Sequence, residues 1–78
     1  MIRFHLKKLI SDWEYDKGRH LSITELSKET GVNRSSLSRI ASQKGYNTTT
    51  DNLNRICLFF GCKIEDLVEV IPEDEEGS

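Results

Sequence analysis

Four of the five glycines, Gly18, Gly31, Gly45 and Gly61, stand where an apolar-periodic segment ends, which divides the chain into a series of short amphipathic helices. In the first segment Leu6, Leu9, Ile10 and Trp13 recur at i, i+3, i+4 and i+7, while Lys7, Lys8, Ser11 and Asp12 fall on the other side. That helix is expected to close over Asp16-Lys17-Gly18, where glycine supplies the left-handed conformation common at helix ends. Ser22-Ile23-Thr24-Glu25 has the S-x-x-E form of a capping box, in which the hydroxyl and the carboxylate both satisfy backbone donors, so a second helix begins there. Gly31 ends it after a few residues, and Val32-Asn33 then supplies an apolar residue and a new N-cap. A third helix is predicted from about Arg34 to Gln43, with Leu37, Ile40 and Ala41 facing inward and Gly45 closing it. Any of Thr48, Thr49 and Thr50 suits the cap of a fourth, which carries Leu53, Ile56, Cys57 and Phe60 and stops at Gly61. A fifth, shorter helix is expected around Ile64 to Val68, ahead of Pro72. Before the first helix, Ile2, Phe4 and Leu6 alternate with Arg3 and His5, the period of a strand, and Val68 to Ile71 is a candidate partner for it.

This pattern predicts an all-α fold of five helices with a short terminal β-pairing, in one domain over residues 1–72. A chain of 78 residues cannot divide its buried surface between two cores. Residues 73–78 contain no apolar side chain to anchor them and are expected to form a disordered acidic tail. No apolar run approaches the roughly 20 residues that span a bilayer. The first ten residues interleave charge with apolar side chains, unlike the core of a secretion signal. A cytoplasmic protein without a membrane partner is therefore expected.

Cys57 and Cys62 give no disulfide framework and read as packing residues in an apolar segment. With His5 and His20 they lack the tight ligand pairs of a zinc site, so neither a metal nor another cofactor is expected. The net charge of −2 conceals a division along the chain. All 11 Lys and Arg lie before Glu65 together with 6 acids, a balance of +5, whereas residues 65–78 hold 7 acids and no base. Salt screens charges beyond about 8 to 10 Å, so a local basic patch decides attraction to phosphate more than the total does.

Two short helices around a tight Gly31 turn, the second rich in small polar and basic side chains, form an arrangement that projects a helix into a major groove. Leu26, Val32, Leu37 and Ile40 would hold the pair together. Asn33, Arg34, Ser35, Ser36, Ser38 and Arg39 leave the outer face hydrophilic, and no acidic residue stands between Glu29 and Asp51. The stretch ITELSKETGVNRSSLSRI resembles the helix-turn-helix of the lambda-repressor-like family, the Cro or XRE-type regulators. LNRICLFFGCKIEDLVEVIP resembles its fourth and fifth helices, so the likeness runs from about Leu6 to Pro72. Ser27 departs from the family, which usually has alanine at this close approach of two helices, but serine is small enough to fit.

The resemblance implies a homodimeric, sequence-specific regulator of transcription, a repressor in particular, that binds double-stranded DNA with the helix Asn33 to Gln43 and takes no small-molecule substrate. Base reading falls to Arg34 and Ser35 first, then Ser38 and Arg39. Backbone contacts are expected from Thr24, Asn33, Ser36, Lys44, Tyr46, Asn47, Thr48 and Thr49, and from amides at the starts of the second and fourth helices. For Tyr46, packing over the end of the third helix is an equal alternative. Leu58 stands where the family is usually polar; with Phe59 it is a candidate for a dimer contact or for burial under the N-terminal segment. Ile2, Phe4, Val68 and Val70 are further dimer candidates. A protein-interaction module, such as an antitoxin-like partner that engages a basic protein through the acidic tail, is the second reading of the same scaffold. An enzyme is not expected, since no nucleophile with a base or pair of carboxylates is set together in a chain too small for much of a cleft.

Overall fold

The computed structural model describes residues 1–42 and 46–72; Gln43, Lys44 and Gly45, at the expected close of the third helix, and the acidic tail 73–78 lie outside them. The glycine-bounded segments are helical: α1 spans Leu6–Lys17, α2 Ile23–Thr30, α3 Arg34–Ser42, α4 Thr50–Phe60 and α5 Ile64–Leu67. Two strands, β1 (Ile2–Phe4) and β2 (Val68–Val70), pair antiparallel with Ile2 opposite Val70 and Phe4 opposite Val68. α5 ends one residue earlier than its periodicity suggests. Val68 turns extended (φ −125°, ψ 150°) and its N–H makes the final helical bond to Ile64, after which the β-branched residue enters the ladder.

The ladder reaches beyond its three residue pairs. The Met1 ammonium donates to the Ile71 carbonyl at 2.9 Å and the Ile71 N–H returns to Met1 at 2.8 Å. At the other end the His5 N–H donates to Leu67 at 2.7 Å, and His5 Nε2 lies 2.9 Å from Glu69 Oε1. The start of α1 is thereby fixed to the end of α5.

Leu6, Leu21, Leu26, Val32, Leu37, Ile40, Ile56 and Leu67 are buried in one core, with Leu9, Ile10, Trp13, Ala41, Leu53 and Phe60 half-buried against it. Each fully buried aliphatic side chain contributes about 1.5 to 3 kcal/mol relative to exposure, so these periodic positions hold the helices together. Phe59 belongs to this packing. Its ring stacks on Trp13 at 6.1 Å and meets Phe60 edge-on at 5.0 Å, whereas Leu58, one residue earlier, points outward and is 73% exposed.

The expected capping box of α2 forms by half. Ser22 Oγ accepts the Glu25 N–H at 3.0 Å, but the Glu25 carboxylate turns to Arg19, taking two bonds of 3.1 and 2.8 Å. The forked guanidinium offers two charge-assisted donors where the backbone offers one neutral N–H. This pairing holds the Glu25 carboxyl below its ordinary value and raises that of Arg19. Arg19 also lies over the Trp13 ring at 4.8 Å.

Candidate nucleic-acid interface

The turn between α2 and α3 is locked by three polar groups around one glycine. Gly31 lies in the left-handed region (φ 78°) and returns its N–H to the Ser27 carbonyl at 2.8 Å, ending α2. The hydroxyl of the buried Thr30 donates to Leu26 at 2.7 Å and accepts the Val32 N–H at 3.1 Å, so the chain reverses without an orphaned donor. Ser27 Oγ donates to the Val32 carbonyl at 2.6 Å. The hydroxyl that departs from the family pattern thus fastens the turn from inside. Val32, 1% exposed, plugs the space between the two helices.

Asn33 then caps α3. Its carbonyl accepts the Leu37 N–H at 3.0 Å and its Oδ1 accepts the Ser35 N–H at 2.7 Å. With Leu37 and Ile40 buried beneath, helical spacing leaves Arg34, Ser35, Ser38 and Arg39 exposed on the outer side, while Ser36 is half-buried. These four residues line one open depression of about 550 Å³ together with Thr24 and Ile23 of α2. Its lining holds two cations and three hydroxyls and no carboxylate. Ile23, which no sequence signal marks out, adds an apolar wall suited to a thymine methyl group.

The flanking groups are held in different ways. Tyr46 is half-buried against the core and the Arg39 guanidinium lies over its ring at 5.8 Å, so the ring props a cation of the exposed face. Asn47 is exposed; Thr48 Oγ1 accepts from Asn52 Nδ2 at 3.2 Å, and Thr49 Oγ1 caps α4 by accepting the Asn52 N–H at 3.1 Å. Both hydroxyls keep a proton to donate. Lys44 lies outside the described residues. The acids in the first turns of α2 and α4, Glu25 and Asp51, are each paired with an arginine: Arg19 holds Glu25, and Arg55 Nε reaches Asp51 at 2.9 Å. Arg55 Nη1 also donates to the Thr30 carbonyl at 3.4 Å, tying α4 to the turn. The i, i+4 spacing of Asp51 and Arg55 signals the pair, though nothing in the sequence signals the tie to Thr30.

The dimer candidates separate into two groups. Phe4, Phe59 and Val68 are half-buried against their own core. Ile2 and Val70, paired across the strands, are 36% and 72% exposed. Leu58 lines a groove of about 460 Å³ between α4 and α5 with Leu53, Cys57, Cys62 and the half-exposed Ile64. Among the described residues no helix is long and apolar enough to cross a membrane.

A helix pair locked around a glycine turn, with the second helix buried on one side and basic and hydroxylic on the other, defines a helix-turn-helix DNA-binding domain. The chain belongs to the Cro/C1-type HTH DNA-binding domain family, whose model matches residues 13–73. No curated protein and no solved structure gives a match. The family match covers the turn, α3, α4, α5 and β2, and begins after β1 and the first half of α1.

Proposed function

We propose that this DNA-binding regulator is a sequence-specific repressor that acts in the cytoplasm as a homodimer and lays α3 in the major groove. The observation that carries the reading is the confluence of Arg34, Ser35, Ser38 and Arg39 with Thr24 around one acid-free depression. Arg34, at the first position of α3, is the group to donate two hydrogen bonds to guanine O6 and N7, worth about 1 to 3 kcal/mol of discrimination. Ser35, Ser38 and Arg39 read neighbouring base edges. Thr24, Asn33, Ser36, Lys44, Tyr46, Asn47, Thr48 and Thr49 fix the register on phosphates, which positions the helix without specifying sequence. Repression requires no more of the protein than occupancy of its site.

The homodimer reading is supported by Leu58, whose exposure leaves apolar surface to be covered by a second copy, with Ile2 and Val70 as a smaller patch. A two-fold pair sets its reading helices about 34 Å apart on a near-palindromic site.

Selection of bound duplexes from a random pool tests this reading. The expected result is a motif of two inverted half-sites one helical turn apart, bound with an affinity that falls steeply with salt as counterions are released. Arg34→Ala should keep the fold and lose preference at one base position in each half. A pool that enriches no motif, or a variant that binds the best duplex unchanged, overturns the reading.

A further inference from the structure

The two cysteines meet where α4 ends. Gly61, in the left-handed conformation (φ 66°), turns the chain back so that its N–H returns to the Cys57 carbonyl, and the Cys62 N–H donates to that same oxygen at 3.1 Å. This reversal brings the residue just past a helix over one in its last turn, a pair that commonly makes a hydrophobic contact. Here both members are cysteines. A backbone bond of this kind brings their Cα atoms toward the spacing of about 4.4 to 6.8 Å that disulfides use. Both thiols are free and half-buried, and both line the groove that carries Leu58 and Ile64. Cys62 also borders a second depression, with His5, Lys8 and Asp66, which Cys57 does not line.

We propose that Cys57 and Cys62 form a reversible intramolecular disulfide, which makes the junction of α4 and α5 a thiol modification site whose co-substrate is a low-molecular-weight disulfide. In the first step the Cys62 thiol gives its proton to water and its thiolate attacks one sulfur of the co-substrate. A mixed disulfide forms, the co-substrate's own S–S bond breaks, and one small thiolate leaves and takes up a proton. Cys57 then loses its proton and attacks the Cys62 sulfur, expelling the second small thiol. Two protein thiols are oxidised by two electrons in all, and one small disulfide is reduced to two thiols that carry both protons.

Accessibility assigns the order of the two steps. Burial, with a smaller contribution from Cys62 facing it, pushes the Cys57 thiol up to about 11, so it is protonated near neutrality and reacts second, aided by its position beside the bond it attacks. In a reducing compartment the pair rests as two thiols and serves as packing. Closing the bond ties the approach to α5 covalently to α4, along the wall that carries Leu58.

The test is to incubate the reduced full chain with oxidised glutathione, then measure its intact mass and map its peptides. The expected product is a single chain lighter by two hydrogen atoms, with Cys57 joined to Cys62, and dithiothreitol restores the starting mass. Cys57→Ser should stop at a stable glutathione adduct on Cys62, and Cys62→Ser should leave Cys57 largely unmodified over the same period, with circular dichroism confirming that both variants are folded. Wild-type chain that stops at the glutathione adduct, cross-links between chains or remains reduced overturns the proposal.

Discussion

The outer face of α3 and the groove between α4 and α5 are open depressions of similar size, about 550 and 460 Å³, yet their linings have opposite chemistry. The first presents two guanidinium groups and three hydroxyls; the second presents Leu53, Leu58, Ile64 and two thiols. Polar side chains lose little by facing water, so the α3 surface stands stable and open until a charged polymer arrives. Leu58 would gain by leaving water, about 1.5 to 3 kcal/mol when fully covered, so the proposed contact with a second copy does not require DNA. On the proposed function the two surfaces would serve separable activities on one core, DNA binding governed by salt and self-association governed by protein concentration.

Substitutions distinguish shared support from separate function. The largest effect is expected from Leu37→Ala, which leaves a cavity directly beneath α3 and should cost about 2 to 5 kcal/mol in urea unfolding, weakening both surfaces together. Gly31→Ala comes next. It places a side chain in the left-handed region, with a Cβ 2.9 Å from Arg55 Nη1, and should cost about 1 to 2 kcal/mol. The flexible arginine can move aside, so the loss is mainly backbone strain; DNA affinity should fall while self-association, followed by sedimentation, persists. Leu58→Glu should do the reverse, changing stability by no more than about 0.5 kcal/mol while abolishing self-association. If Leu58→Glu chains still sediment as dimers, the groove is not the subunit contact.

The smallest expected effect concerns Glu25. Its folded carboxyl is held below its ordinary value of 4.5 by Arg19, so the stabilisation is fully present above about pH 4.5 and disappears as the pH falls through the lowered folded value. Thermal melts of wild type and Glu25→Gln should therefore differ at neutral pH and converge in acid. A constant separation at every pH would show that the Arg19 contact does not govern this end of α2.

The helices were legible because local signals agreed with the packing: apolar spacing, glycine stops and caps at Ser22, Asn33 and Thr49 all point to the elements that form. The exposed positions of α3 followed from the same periodicity once Leu37 and Ile40 were placed inward. What could not be read were choices between neighbours set by distant parts of the chain. Leu58 and Phe59 are adjacent and both apolar, and only the placement of Trp13 on α1 decides that Phe59 is the one to pack. Glu25 had a local partner at Ser22, but Arg19 sits close enough to take its carboxylate. The support that Tyr46 gives Arg39 likewise depends on how the chain returns from α3 toward α4.

The terminal ladder also bears on how the domain would respond to mechanical load. Because β1 and β2 run antiparallel with Ile2 opposite Val70, both outer ends of the ladder emerge at the same edge. Tension applied through residues 1 and 72 would part the bonds in succession, Met1 from Ile71 first, instead of shearing them all at once. The domain should thus open by peeling, with the β-clamp giving way at low force before the helix pair that carries Arg34 is disturbed.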